Sequence, residues 1–337
     1  MLEKNNIQMI EEIKDIIISS RNKIAYEVNN TMLLAYWNVG RIIVENEQNG
    51  NIKAEYGKQV LKELSKELRK ILGSGFSVSN LQYMRRFYLK YPKQQTLSVK
   101  LSWSHYIEIL SLDDEQARSF YQHECENSNW SVRELRRQIS SSFYERLLLS
   151  KGDVNKKKLL ELATKGVSYS SPDDFIKDPM VLEFLGVNEQ KPMLESDLEH
   201  YLIDHMENFL LELGRGFMFV GSQFRISIDG VNYYVDMVFY NKILHTYVLI
   251  DLKVGRLRPE NYGQMNMYLN YFKNEINDEG DKDPIGIILC AEKNNIVVEY
   301  SMEGLKSNIY ASKYTYVIPN KEQLETELWK VIKKKRT

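Results

Sequence analysis

Cysteine is scarce: Cys125 and Cys290 are the only two in 337 residues. Two thiols build neither a disulfide framework nor a zinc cage by themselves, so a reducing cytoplasm is the expected compartment. No apolar run reaches the ~18 residues of a membrane span. Met1-Leu2-Glu3-Lys4-Asn5-Asn6 is polar and has no apolar signal core, which argues against secretion. The five histidines, His105, His123, His200, His205 and His245, form no HExxH or other close ligand pair. There is no Walker-type phosphate loop and no internal repeat of ~20–50 residues. A net charge of −1 argues against a uniform nucleic-acid coat.

What is present reads as globular: 43% hydrophobic, 11% aromatic and 27% charged residues. At ~100–200 residues per domain the length suggests two domains. Charge is unevenly spread. Residues 51–100 carry 11 Lys+Arg against 3 Asp+Glu, and residues 201–300 carry 9 against 14. A basic segment and an acidic one suit different roles, holding a polyanion and holding a cation.

Residues 1–150 read as mostly helical. Ile7, Ile10, Ile13, Ile17 and Ile18 recur at helical spacing, and the pattern resumes through Met32, Leu33, Tyr36, Val39 and Ile43. A helix near 56–72 sets Val60, Leu61, Leu64, Leu68 and Ile71 against a lysine-rich side and stops at Gly73-Ser74-Gly75. The next helix, capped by Ser77 or Ser79, carries Asn80, Gln82, Arg85 and Arg86. That order is the shape of a helix-turn-helix reader, with those four residues as candidate nucleic-acid contacts. The plainer alternative is a solvated basic helix in a bundle. Residues 151–194 hold three of the seven prolines and read as a connector.

From 195 to 337 the pattern changes to helix, three strands, helix, strand. Strands are expected at Phe217–Gly221, Phe224–Ile228, Tyr233–Tyr240, Thr246–Leu252, Ile285–Cys290 and Ile296–Tyr300. Asp229-Gly230 is a hairpin turn signal, and a last helix is expected near 321–334. This order gives an α/β fold with one mixed sheet and flanking helices.

The chemistry concentrates at Asp236, an acid inside an apolar strand, and at Asp251-Leu252-Lys253, which ends the next one. Alternation along a strand sends Asp251 and Lys253 to one face. Two carboxylates brought together repel unless a cation lies between them, and a hard dication with oxygen ligands relieves this. Lys253 would then point at the same spot and could orient a water nucleophile. For Asp236 alone, a strand-end ion pair is the plainer reading.

Glu207, with Ile203, Leu210 and Leu211 around it at helical spacing, is a candidate third acid or a rim glutamate with its stem packed. Gln264 and Tyr268 share a helix face and could support the site or simply cap the sheet edge. Cys290 reads as a buried core thiol. Lys333-Lys334-Lys335-Arg336 is a basic tail, solubilising or phosphate-touching.

At these residues the sequence resembles the PD-(D/E)xK nuclease superfamily, and more closely the YhcG family within it. The carrying stretches are Leu211–Gln223, the Asp236 strand, Asp251-Leu252-Lys253, Gly263–Tyr271 and Pro284–Cys290. In the N-terminal half they are Tyr36–Gly40, Leu101–Tyr106 and Trp130–Ile139. The resemblance implies a restriction-endonuclease-like core, preceded by a helical, winged-helix-like DNA-binding domain.

It also implies Mg²⁺-dependent (or Mn²⁺-dependent) phosphodiester cleavage, with Asp236, Asp251 and Leu252 as the metal set and Lys253 as the motif lysine. Gln264 and Tyr268 match a Q-x-x-x-Y pattern, and Glu207 falls at the helical acid position. Relatives often carry Glu where Asp251 stands, one methylene longer. The expected function is a DNA endonuclease, with a homodimer compatible with cutting both strands. A catalytically silent DNA-binding or assembly subunit is the alternative, and an RNA-directed nuclease is a third reading.

Overall fold

The computed structural model describes residues 2–49, 54–150, 162–167, 171–172, 176–177, 179–187, 194–292, 308–318, 320–324 and 326. The chain parts into two compact units, Met1–Leu135 and Arg136–Thr337.

The first unit is built of helices. The isoleucine ladder and the pattern after it form one helix, α1 (Leu2–Asn49). The lysine-rich segment forms α2 (Ala54–Leu72), with its apolar stripe on one side. The Gly73-Ser74-Gly75 break leads to α3 (Val78–Lys90), which Ser77 caps by accepting the Asn80 N–H at 3.2 Å. α4 (Trp103–Leu110) and α5 (Glu115–Ser128) follow.

Ile43, Leu61, Leu81 and Met84 form a core with Tyr36, Val39, Leu64 and Trp103 packed against it. Each such side chain contributes about 1.5–3 kcal/mol by leaving water. Gly40 marks the closest approach of two helices, because a Cβ there would lie 2.0 Å from the Met84 carbonyl oxygen. His105 ties two loops together, with Nδ1 2.7 Å from Ser102 Oγ and Nε2 2.9 Å from the Trp130 carbonyl. Among the described residues of this unit there is no strand, so the wing of a winged helix has no counterpart among them.

α6 (Val132–Ser140) spans the division between the units, and α7 (Phe143–Ser150) lies in the second. There a six-stranded mixed sheet runs in the order β1-β6-β5-β4-β3-β2. Its strands are β1 (Met180–Val181), β2 (Phe217–Ile228), β3 (Val231–Asn241), β4 (Thr246–Arg256), β5 (Ile285–Glu292) and β6 (Asn308–Thr315). β2-β3-β4 are antiparallel, and β4-β5, β5-β6 and β6-β1 are parallel. Helices α8 (Glu195–Asp204), α9 (Met206–Leu213) and α10 (Pro259–Tyr271) cover the sheet.

The two stretches expected as separate strands before Asp229 are one strand, β2, with a bulge between Phe219 and Gly221. Asp229 (φ 49°) and Gly230 (φ 78°) make the hairpin turn, as a two-residue turn with both φ positive requires. Met180–Val181, from the expected connector, is an edge strand, with Met180, Leu182 and Leu185 in the core under α8 and α9. Residues 296–300 and the 333–336 tail lie outside the described residues, and β6 has no counterpart among the expected strands.

Core residues alternate along β4. Leu249 packs with Met265, Tyr268 and Leu269 of α10, whereas Ile250 and Leu252 pack with Leu198, Leu202 and Phe209 of α8 and α9. Asp251 and Lys253 therefore leave the strand on the side opposite to Ile250 and Leu252.

A carboxylate and lysine cluster as the candidate active site

β3 and β4 pair regularly from Met237↔Ile250 to Asn241↔Thr246. Just past that ladder stands Asp236. Its Oδ2 accepts the Leu252 backbone N–H at 2.7 Å, so the first acid is fastened to the middle of the Asp-x-Lys motif. Asp251 is 3% exposed. Burial pushes its carboxyl up to about 6, the Asp236 charge acts in the same direction, and Lys253 opposes both. Asp236 is raised as well, chiefly by burial, against the Leu252 N–H and the Lys253 charge. Each carboxylate thus bears the mark of a low-dielectric site shared with another acid.

Lys253 sends its ammonium to Asp251. Nζ lies 2.8 Å from Asp251 Oδ2, donates to the Leu252 carbonyl at 2.9 Å and lies 3.5 Å from Glu195 Oε2. Asp251 Oδ2 is buried, and Lys253 is its one close cationic neighbour among the described residues. On the helix side, Gln264 Nε2 donates to Tyr268 Oη at 2.6 Å, and that hydroxyl donates to the Tyr234 carbonyl at 3.1 Å. Burial raises the Tyr268 hydroxyl, which also feels the charges of Asp251, Asp236 and Lys253. The geometry therefore brings together Asp236, Asp251, Leu252 and Lys253, with the Gln264–Tyr268 pair bracing β3 two residues from Asp236.

Glu207 does not join them. The helix expected to continue through it breaks at His205, whose φ of −114° and ψ of 31° end α8 and start α9. α9 then buries Phe209, Glu212 and Leu213, leaving Glu207 exposed. The acid that α8 brings to the site is Glu199, 6% exposed, whose Oε2 accepts from Gln223 Nε2 at 2.7 Å. The same amide nitrogen lies 3.3 Å from Asp236 Oδ1. Burial raises the Glu199 carboxyl, the Gln223 hydrogen bond lowers it and the Asp236 charge raises it. Glu199 has Leu198 and Leu202 beside it, an acid on the edge of a buried stripe, and that was the available signal.

The four α3 candidates divide. Asn80 is used internally, donating to the Gly75 carbonyl and accepting from Trp103 Nε1 at 2.8 Å. Arg85 Nε pairs with Glu47 Oε2 at 2.7 Å. Gln82 and Arg86 are exposed, although Arg86 also donates to the Leu110 carbonyl at 3.2 Å. The basic side of α2 is more open: Lys62, Lys66, Arg69 and Lys70 line a groove of about 570 Å³ with Ser65, Ser74 and Val78.

Among the described residues no group of three or more His, Cys, Asp or Glu side chains is gathered as a metal cage. The donors present still fit a hard dication. Two carboxylates and a main-chain carbonyl supply oxygens, Asp251 Oδ2 is buried, and the Lys253 ammonium already sits against that oxygen and the Leu252 carbonyl, where a cation would lie.

Family profiles match both halves of the chain. One for the YhcG PDDEXK nuclease domain matches residues 173–329, and one for the DUF1016 N-terminal domain matches residues 12–146. The chain is 38% identical, over an alignment of 353 residues, to the Escherichia coli (strain K12) protein named "Putative nuclease YhcG". The match covers 95% of this chain and 93% of that one. Among solved structures, a repair endonuclease from Pyrococcus abyssi aligns at 16% identity and a TM-score of 0.26, over 37% of this chain and 49% of that one. EndoMS in apo form aligns at 17% identity and a TM-score of 0.26, over 39% of this chain and 49% of that one. The chain spans about half the length of both.

Proposed function

Because this chain belongs to the YhcG family of PDDEXK nucleases, we propose that it is a divalent-metal-dependent endonuclease hydrolysing DNA phosphodiester bonds. The observation that carries this reading is the fastening of Asp236 to Leu252 beside the buried Asp251–Lys253 pair. Mg²⁺, or Mn²⁺ in its place, would be held by Asp236, Asp251 and the Leu252 carbonyl, and when bound would neutralise phosphate charge and acidify a water.

The protein's own groups supply the rest. Asp251, relieved of its proton near neutral pH, presents an anionic oxygen to the cation. The Lys253 ammonium, held against Asp251 Oδ2 and the Leu252 carbonyl, would orient the attacking water and donate toward the charge that develops on phosphorus oxygens. Tyr268, itself held by Gln264, donates to the Tyr234 carbonyl and so steadies the strand that carries Asp236.

In the N-terminal unit, the Lys62–Lys66–Arg69–Lys70 groove with exposed Gln82 and Arg86 supports contact with a phosphate backbone. Exposed Ile10, Ile13, Ile17 and Ile24 on α1 offer a surface through which two copies could pair and cut both strands. No helix among the described residues is long and apolar enough to cross a membrane. Cys125 and Cys290 are both buried thiols, which suits a reducing compartment.

The test is incubation of the full chain with supercoiled, linear and single-stranded DNA and with RNA, in Mg²⁺, Mn²⁺ or EDTA, beside a filter-binding assay. Metal-dependent DNA cleavage is expected. Binding without cleavage in every metal would make the chain a DNA-binding or assembly subunit, and preferential RNA cleavage would reassign its substrate.

A further inference from the structure

Gln223 has a backbone conformation foreign to its surroundings. It lies within β2, between the pairs Ser222↔Met237 and Phe224↔Val235, yet its φ is 45°. A residue with a Cβ rarely enters that region, and a strand interior offers no turn to require it. Such strain persists where the surroundings impose it, and it gathers at functional sites. The side chain is exposed, so packing does not explain the conformation.

Its amide does have a use. Nε2 carries two hydrogens and faces two carboxylates: Glu199 Oε2 on α8 at 2.7 Å and Asp236 Oδ1 on β3 at 3.3 Å. A neutral two-hydrogen donor is suited to holding two like charges side by side without neutralising either. A lysine at this position would carry a positive charge that competes with a cation, and a serine has only one hydrogen to give.

We propose that Gln223 is a positioning residue: from a strained backbone it ties Asp236 to Glu199 and so holds the Asp236 carboxylate in place for the metal. This rests on the metal-dependent reading above and goes further, because it ties metal affinity to a side chain that is not itself an anion.

The experiment is Mn²⁺ binding by the full-length chain, followed by electron paramagnetic resonance, with thermal unfolding of the metal-free proteins alongside. The variants are Gln223→Gly, Glu199→Gln and the double variant. Gly adopts the left-handed backbone freely, so Gln223→Gly is expected to unfold within a few degrees of wild type. It should bind Mn²⁺ about tenfold more weakly, the size of effect seen when a partner of a metal ligand is removed. Glu199→Gln should lose a similar factor, and the double variant no more than the weaker single, since both changes break one chain of contacts.

Wild-type affinity in Gln223→Gly, or losses that multiply in the double variant, would overturn the proposal. Should Gln223→Gly unfold early, Glu199→Gln decides: unchanged Mn²⁺ affinity there overturns it equally. A wild-type chain that binds no Mn²⁺ would instead remove the metal-dependent reading beneath it.

Discussion

The Asp236 carboxylate accepts the backbone N–H of Leu252 at 2.7 Å, which sets the acid of one strand against the middle residue of the Asp-x-Lys motif on the next. Lys253, one residue on, contacts the Leu252 carbonyl and Asp251 Oδ2, the same oxygens a dication would take. Lys253→Met therefore separates metal binding from chemistry. The variant should bind Mn²⁺ at least as tightly as wild type, because a competing ammonium is gone. Its DNA cleavage should fall by about 10²–10³, the usual cost of losing one preorganised donor in an active site. Metal titration beside a cleavage time course checks both, and a variant that cuts at the wild-type rate would remove Lys253 from the chemistry.

Asp251 makes stability depend on pH. Its carboxyl is raised to about 6, first by burial, whereas in the unfolded chain it titrates near ~3.9. The folded state therefore holds the proton more tightly. This contribution is fully present below about pH 4 and is lost as pH rises through about 6. Asp251→Asn escapes the loss. Without metal it should gain on wild type between about pH 4 and about pH 7.5, by at most about 2–3 kcal/mol. Urea unfolding at the two pH values measures this, and an advantage that does not grow with pH counts against it. A metal held by Asp251, as proposed, competes with this proton, so wild-type Mn²⁺ affinity should fall below about pH 6.

Arg146 and Glu212 are both 0% exposed and pair directly. Glu212 also accepts from Arg137 at 3.3 Å and from the Val181 N–H at 3.0 Å, and its main-chain carbonyl accepts from Lys177. Burial would raise this carboxyl, but Arg146, Lys177 and Arg137 together hold it down at about 2. Removing one partner leaves a buried charge uncompensated, so Arg146→Met should destabilise by about 3–5 kcal/mol. Far-UV circular dichroism during thermal unfolding is the measurement, and a loss below about 1 kcal/mol would show that the network does not depend on each member.

Gly40 tests the helical unit. A methyl group there would meet the Met84 carbonyl at 2.0 Å, and that backbone cannot swing aside as a side-chain end could. Gly40→Ala should cost about 3 kcal/mol or more, despite the better helix propensity of alanine. Chemical denaturation of the full chain measures this, and wild-type stability in that variant would mean that α1 and α3 cross elsewhere.

Much of this was readable in the sequence, for physical reasons that differ from residue to residue. Asp229-Gly230 announced its hairpin because the turn demands two positive φ angles. Asp236, Asp251 and Lys253 stood out because acids inside apolar strands are costly without a partner. Glu207 misled because helical spacing assumes an unbroken helix, and the break at His205 rotates it to solvent while Glu199 takes the inner place. Asn80 and Arg85 looked like readers of nucleic acid, yet their partners Trp103 and Glu47 lie 23 and 38 residues away, beyond what local pattern can show. The Arg146–Glu212 network and β6 were hidden for the same reason: their partners are distant in the chain.

DNA cleavage in Mg²⁺ by Asp236→Asn, with Mn²⁺ binding measured on the same preparation, decides whether these carboxylates hold a catalytic metal. The substitution keeps the size of the side chain while removing the charge that the proposed metal site requires. Cleavage should fall to the level of the EDTA control and Mn²⁺ binding should weaken. A correctly folded Asp236→Asn that cuts as fast as wild type would mean that the reaction does not run through this site.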